Sequence, residues 1–515
     1  MNRRLSSRRS FLKAGALSGA LAVSPWQLAH GQTMPEGMNR SDLPTPKADA
    51  CILIVLPGGV SQNETWDPKP FTPFEPGMKA SSFRSPCRSI HTSADGIMIC
   101  EGLEQLASLM HLGTIVRSVA ETTERVPVHT ECIYQIHTGY KFPSGFRAPS
   151  LGAIISRTLG RRHPDVPAYV DIGRNLESSH PEDKFLTDTL GPGFYPQEFG
   201  PLEIGDPISG AQLFERLAGM TKSDLERRVQ YRRGLVESGP LQYGQNPKLK
   251  RYVDIIDEAV ALMDSPIRDS FNFADEKSID ELAKYGCGIA DKPKGSSHEE
   301  STALSPMCMI DDRGQRFEAG CLLARRLIEN GVRFVEVEFP YRGFCLFDTH
   351  ANGAERSMAL KQRIDIPIAR LIQDLDERGL LGRTLVVVMS EFGRTIAGDD
   401  AGNSRFSKPQ GLSATEAASL ADDIVFSTEF QYGYHAHLRT CSAVFFGGGV
   451  REGFVYGRTA DEHPMVAIEN PVSISDVHAT IFHHLGLKPD VYFMDGTRPV
   501  YITDNGEGKP IHAIA

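Results

Sequence analysis

The sequence predicts an α/β fold: a doubly wound, mostly parallel sheet flanked by helices, with an inserted helical cap region. Three observations predict it. Four short runs are apolar and rich in β-branched residues, "CILIVL" from Cys51, "RFVEVEF" from Arg333, "TLVVVMS" from Thr384 and "SAVFF" from Ser442, the pattern of parallel strands buried on both faces. Between them lie segments with apolar residues at helical spacing, and alternation of strand and helix defines such a sheet. Each run also passes directly into polar, Gly-rich or His-bearing sequence, "PGGVSQNETWDPKP", "PYRGFCLFDTH", "EFGRT" and "GGGV". Ligands of open α/β sheets bind at the carboxyl ends of the strands, so a site is expected to assemble from these loops.

Taken in order, the chain begins with "SRRSFLK" at residues 7–13, followed by the mildly apolar "AGALSGALAV" and by small residues suited to a peptidase. This is the pattern of a twin-arginine (Tat) export signal over residues 1–31, which implies passage through the Tat machinery to the periplasm. The segment carries five basic residues and no acid, so cleavage near Gln32 takes the formal charge from −10 to −15. An acidic mature chain is a poor nucleic-acid binder. No later segment approaches the roughly 18 uninterrupted apolar residues of a membrane span. With 515 residues, 40% of them hydrophobic, the remainder can bury a large core, and one α/β domain is expected over residues 45–515.

Within it, "EAGCLLARRLIENG" predicts a helix stopping at Gly331, and "MALKQRIDIPIARLIQDLDERG" a helix running to Gly379 with an interruption at Pro367. Residues 180–305 differ in texture. Gly- and Pro-rich loops give way to the charged helical patterns "SDLERRVQYRRGL" and "YVDIIDEAVALM", then to a loop over 291–306, and the whole reads as an insertion. The nine cysteines show no CxxC spacing; Cys51, Cys321 and Cys441 lie in apolar runs as buried thiols, and Cys87 with Cys100 is a candidate pair in an oxidising compartment.

Chemistry-bearing residues concentrate at the strand exits. "FDTHANG" sets Asp348 and His350 two apart, so in extended backbone they project to one side and can share a cation. "VVVMSEFGRT" puts Glu391 at the exit of a strand apolar enough to be central, where a carboxylate needs a neutralising partner. That partner is either a metal or Arg394, and Arg394 also suits a bidentate grip on phosphate or sulfate. "YGYHAHLRT" offers His435 and His437 at i, i+2, a further pair able to ligate one metal. "SQNETWDPKP" supplies Glu64 and Asp67, with Trp66 as lid or packing residue and Asp-Pro as an ordinary turn. "VHTECIYQIHTGY" puts His129 at the head of a short helix that ends in Thr-Gly, with His137 near its other end. In "SISDVHATIFHHLGL" the bland reading prevails: Ser475 or Asp476 caps a helix whose Val477, Ile481 and Leu485 face the core.

In this order, "CILIVLPGGVSQNETWDPKP", "CLLARRLIENGVRFVEVE", "FDTHANG", "TLVVVMSEFGRT" and "FFGGGVREGFVYGRTADE" resemble the Tat-exported bacterial family of domain of unknown function 1501, which is similar in fold to the alkaline phosphatase and sulfatase superfamily. The resemblance spans nearly the whole mature chain. It implies that Asp348 and His350 ligate one divalent metal, Zn²⁺ or else Mn²⁺ or Ca²⁺, completed by His437 or His435. It sets Glu391 where relatives carry an Asp-His pair for a second metal, a pair that Phe392 cannot complete. The ligand usually found after the first strand is replaced by Pro57-Gly58-Gly59, for which Glu64 or Asp67 would compensate. Counting back from Thr138-Gly139, as the superfamily's nucleophile is spaced, reaches His129, with Thr130 its nearest hydroxyl. Cys132 lacks the flanking residues of formylglycine chemistry.

Three roles stand open for His129: nucleophile, general base, or metal ligand, against the alternative of a hydrogen-bonded capping imidazole. The expected activity is a metal-dependent hydrolase or transferase of phosphate or sulfate esters. The rival expectation is an exported binding or scaffold protein that keeps the fold and one ion without turnover.

Overall fold

The computed structural model describes residues 43–79, 82–120, 128–142, 144–174, 186, 189–215, 219–238, 260, 262–263, 265–287, 314–340, 346–349, 353–396, 435–462 and 465–515. The export signal, most of "YVDIIDEAVALM", the loop at 291–306 and His350 lie outside these residues. The strands that matter for function are β1 (Ala50–Val55), β2 (Gly113–Ala120), β3 (Tyr169–Ile172), β4 (Leu202–Ile204), β5 (Phe334–Glu338), β6 (Thr384–Met389), β7 (Gly393–Ile396), β8 (His435–Leu438), β9 (Thr440–Phe446) and β10 (Phe454–Tyr456). The longer helices among the described residues are α1 (His129–Thr138), α2 (Leu151–Leu159), α3 (Lys222–Ser238), α4 (Glu276–Lys284), α5 (Gly314–Glu329), α6 (Gly353–Glu377) and α7 (Ile474–His484).

Eight strands form one sheet in the order β10-β2-β9-β6-β1-β5-β3-β4. All the pairings are parallel except the two made by β9, which runs antiparallel to β6 and to β2. The sheet is therefore mostly parallel, as expected, with one correction: "SAVFF" is the reversed strand. Its Gly447–449 turn lies at the opposite edge from the other strand exits, packed on Leu381, Thr384 and Leu385 at the start of β6. What β9 brings to the carboxyl edge is the strand before it, β8, which pairs antiparallel with β7 in a register that opposes His437 to Arg394.

Burial on both faces explains the unbroken apolar runs. Along β1, Ala50, Ile52 and Ile54 join a core formed with α5 and α6, while Cys51, Leu53 and Val55 join a second core with α2 and α7. The same alternation leaves β5 with Val335 and Val337 on the first face and Phe334 on the second, so Glu336 and Glu338 also point toward the second. Trp66 is core packing. Within residues 180–305, β4 adds an edge strand to the main sheet, and α4 docks on α5, where Glu281 accepts from Arg325 and Arg326 at 2.8 and 2.9 Å. Helix α6 runs through Pro367 without interruption. Just before the proline, Asp365 accepts 2.8 Å hydrogen bonds from the Gln105 and Leu106 amides of a neighbouring turn. Cys87 and Cys100 are thiols: Cys87 Sγ receives the buried Lys361 ammonium at 3.1 Å, and Cys100 faces the Asn63 carbonyl at 3.3 Å.

Helix α7 starts in a capping box made by Ser473 and Asp476, two positions earlier than Ser475 would place it. Its histidines are structural. His478 Nε2 meets the Ile136 carbonyl and His484 Nδ1 the Gly448 carbonyl, both at 2.8 Å. Burial lowers each ring's pKa to about 4, against the opposing pull of those carbonyls. A depressed histidine favours folding above the unfolded-state value, near 6.5, because the unfolded chain takes up a proton that the folded one resists. Stability should therefore fall as pH drops from about 6.5 to about 4, by roughly 3 kcal/mol for His478 alone. Urea midpoints measured across this window check it, and His478→Gln should flatten the slope.

Candidate active site

The loops after β1 and β6, the Asp348 segment and the start of α1 meet at the carboxyl edge of the sheet, around His129. Glu391 follows β6 by two residues and is buried. Its Oε1 accepts from the Gly58 amide at 2.7 Å and faces His129 Nδ1 at 2.7 Å; Ser390 Oγ donates to Oε2 at 2.9 Å. On the other side of the ring, His129 Nε2 lies 3.1 Å from Asp348 Oδ1, and Asp348 also accepts from Arg394 Nη2 at 2.5 Å. The Phe392 ring packs 4.8 Å from the imidazole.

An imidazole with a carboxylate at each nitrogen donates to both only when doubly protonated. Burial works against the charge, but Asp348 first and Glu391 second outweigh it and raise the His129 pKa to about 9. The ring is thus an imidazolium at neutral pH, and with Arg394 it balances the two carboxylates. It is also the member of the set with an open side: the His129 side chain is 15% exposed, those of Asp348 and Glu391 3% and 0%. Thr130 follows at the second helical position, partly exposed.

Arg394 has no exposed surface. Its Nε donates to the Gly58 and Gly59 carbonyls at 2.9 Å and its Nη2 to Gly58 at 2.6 Å, besides Asp348. It thus grips the loop after β1, and its Nη2 also lies 3.3 Å from His129 Nε2. That loop needs its glycines: Gly58 and Gly59 have φ of +113° and +77°, and a Cβ on them would come within 2.5 Å of the Asp348 amide and 2.4 Å of the Phe392 ring. Gly59→Ala is expected to cost roughly 3 kcal/mol from left-handed strain and overpacking together, read as a lowered denaturation midpoint.

The other residues expected here are distributed differently. Asp67 belongs to a separate buried network, 3.2 Å from Lys69 and 3.4 Å from Arg117, and hydrogen-bonded to Thr459. Glu64 is buried in the turn Gln62–Glu64 and acts electrostatically on Cys87 and Cys100. The side chains of His435 and His437, like His350, lie outside the described residues. Asp348 and Glu391 do come together, but on opposite nitrogens of one ring.

Among the described residues, one group of three or more His, Cys, Asp or Glu side chains brings a ligand atom from each within 4.8 Å of the others: His137, Glu336 and Glu338. The sequence reading passed over both glutamates. Their signal was present in "VEVE", two acids at i, i+2 in a strand otherwise fit for the core.

The chain belongs to the family described as "Protein of unknown function (DUF1501)", whose model matches residues 48–515. No curated protein matches it. Among solved structures it is similar to the lipoteichoic acid synthase LtaP from Listeria monocytogenes (10% identity, TM-score 0.35, covering 92% of this chain and 79% of that one). It is similar also to the phosphonate monoester hydrolase SpPMH from Silicibacter pomeroyi (11%, 0.34, 90% and 76%) and to the PsFucS1 sulfatase from Pseudoalteromonas sp. (13%, 0.32, 91% and 74%). No helix among the described residues is long and apolar enough to cross a membrane.

Proposed function

We propose that the chain is an exported hydrolase or transferase of phosphate or sulfate esters, with His129 as its working group. The observation that supports this reading is an imidazole fixed between two buried carboxylates at a helix N-terminus, at the sheet edge where ligands bind. Glu391, held by the Gly58 amide and Ser390, fixes Nδ1–H and leaves Nε2 as the nitrogen that meets substrate. An ester oxygen would replace Asp348 as acceptor at Nε2. The anion's other oxygens would face the first turn of α1, whose amides have no earlier carbonyl within the helix to bond. As water attacks the phosphorus or sulfur, proton transfer from Nε2 to the leaving oxygen lowers the barrier to breaking its bond, and the attacking water gives up the proton that recharges the ring, which Asp348 stabilises. The destination outside the cytoplasm rests on the twin-arginine pattern of residues 7–13.

The test is a panel of aryl phosphates, phosphodiesters and aryl sulfates, assayed with purified protein with and without added divalent metals. Turnover of one ester class, lost in a His129 variant, is the expected result. Silence across the panel from folded protein supports the second reading, an exported anion-binding protein. That reading draws on the charge balance already achieved by His129 and Arg394.

A further inference from the structure

At the far end of α1 from His129, eight residues or about 12 Å along the helix, lies a second buried set of ionisable groups. His137 projects from the last turn of α1, Glu336 and Glu338 from β5, and Asp171 from β3. All four are at most 4% exposed. His137 Nδ1 faces Glu336 Oε1, and its Nε2 lies 3.6 Å from Glu338 Oε1. Arg174 reaches in from one side, 2.9 Å from Glu338, 2.5 Å from Asp171 and 3.5 Å from Glu336, and Tyr169 donates to Glu336 Oε2 at 2.8 Å.

Two features of this set point to a ligand. The first is charge: three carboxylates stand against one guanidinium, and His137 can add a single positive charge at most. A buried excess of negative charge is costly unless a proton or a cation removes it. The second is hydrogen bonding. Beyond the His137–Glu336 and Arg174–Asp171 ion pairs, His137 Nδ1, Glu336 Oε1 and both oxygens of Asp171 have no further hydrogen-bond partner although they are buried. The imidazole nitrogen and carboxylate oxygens converge, all within 4.8 Å of one another, while Tyr169 and Arg174 hold the outer oxygen of Glu336 and the near oxygen of Glu338, as partners behind metal ligands do. One imidazole with two carboxylates suits a first-row divalent ion such as Zn²⁺ or Mn²⁺ and gives too few oxygens for Ca²⁺. A cation there would also sit at the negative end of the α1 dipole.

We propose that His137, Glu336 and Glu338 bind a divalent transition-metal cation that ties α1 to β5, a centre separate from the His129 site. The inference does not depend on ester turnover. It is tested by metal analysis of protein expressed with Zn²⁺ or Mn²⁺ in the medium, comparing wild type with His137→Gln, Glu338→Gln and, as the control from the other site, Glu391→Gln. Wild type and Glu391→Gln are expected to retain about one ion per chain, and the other two variants less than about a tenth. Should the glutamine variants not fold, Glu336→Asp keeps the charge balance, withdraws the donor, and is expected to show the same loss. Folded wild type without metal would overturn the proposal. So would equal metal content in wild type and the cluster variants, or loss confined to Glu391→Gln.

Discussion

His129→Gln is expected to reduce kcat on the ester that wild type turns over by about 10²–10⁴-fold, the contribution of a positioned acid or base. Glutamine still offers one donor toward Glu391 or Asp348, so the fold should survive, as circular dichroism and the thermal midpoint would show. His129→Gly provides a sharper readout. It opens a space bounded by Glu391, Asp348 and the Phe392 ring, into which free imidazole can bind. Added imidazole should restore part of the lost activity in His129→Gly and none in Glu391→Gln, where the group orienting Nδ1 is gone. A His129→Gln variant with unaltered kcat would make the imidazole a capping group and move the chemistry elsewhere.

The second large effect is structural. Arg394→Met is expected to cost about 3–5 kcal/mol, because it leaves Asp348 buried with one of its two cationic partners removed. It also removes the bonds to the Gly58 and Gly59 carbonyls that hold the loop after β1. Arg394→Lys should not restore the loss, since one ammonium cannot reproduce a planar fork that reaches two carbonyls and a carboxylate. Urea denaturation measures both. A cost below about 1 kcal/mol, the range of exposed ion pairs, would mean the clamp is dispensable and that the loop is held by its packing against Phe392 instead.

Much of the fold was legible because burial on two faces writes itself into sequence as continuous apolar runs; β1 and β6 carry that pattern unbroken. Direction was not legible. "SAVFF" reads the same whichever way the strand runs, and the antiparallel placement of β9 is settled by pairing with β2 and β6. The site was legible in part for a related reason. Asp348, Glu391 and His129 stand next to apolar strand or helix starts, where a charged residue is conspicuous, and the structure gathers all three. Their mutual geometry was not readable, because it depends on Arg394 turning inward to the Gly58 and Gly59 carbonyls. An arginine three residues past a carboxylate reads equally well as an anion grip. The surroundings of Asp67 were equally unreadable, since beside Lys69, two residues on, its partners Arg117 and Thr459 come from two distant stretches of chain. The buried acids of β5 were passed over because they interrupt a core strand, where periodicity alone counts them as noise.

The most direct test is a crystal structure of the protein soaked with orthovanadate, a stand-in for the tetrahedral and pentavalent oxyanions of ester transfer. Vanadate in contact with His129 Nε2, with Glu391 still on Nδ1 and Asp348 displaced from the ring, is the expected result. Vanadate held elsewhere, while His129 continues to bridge Asp348 and Glu391, would contradict it.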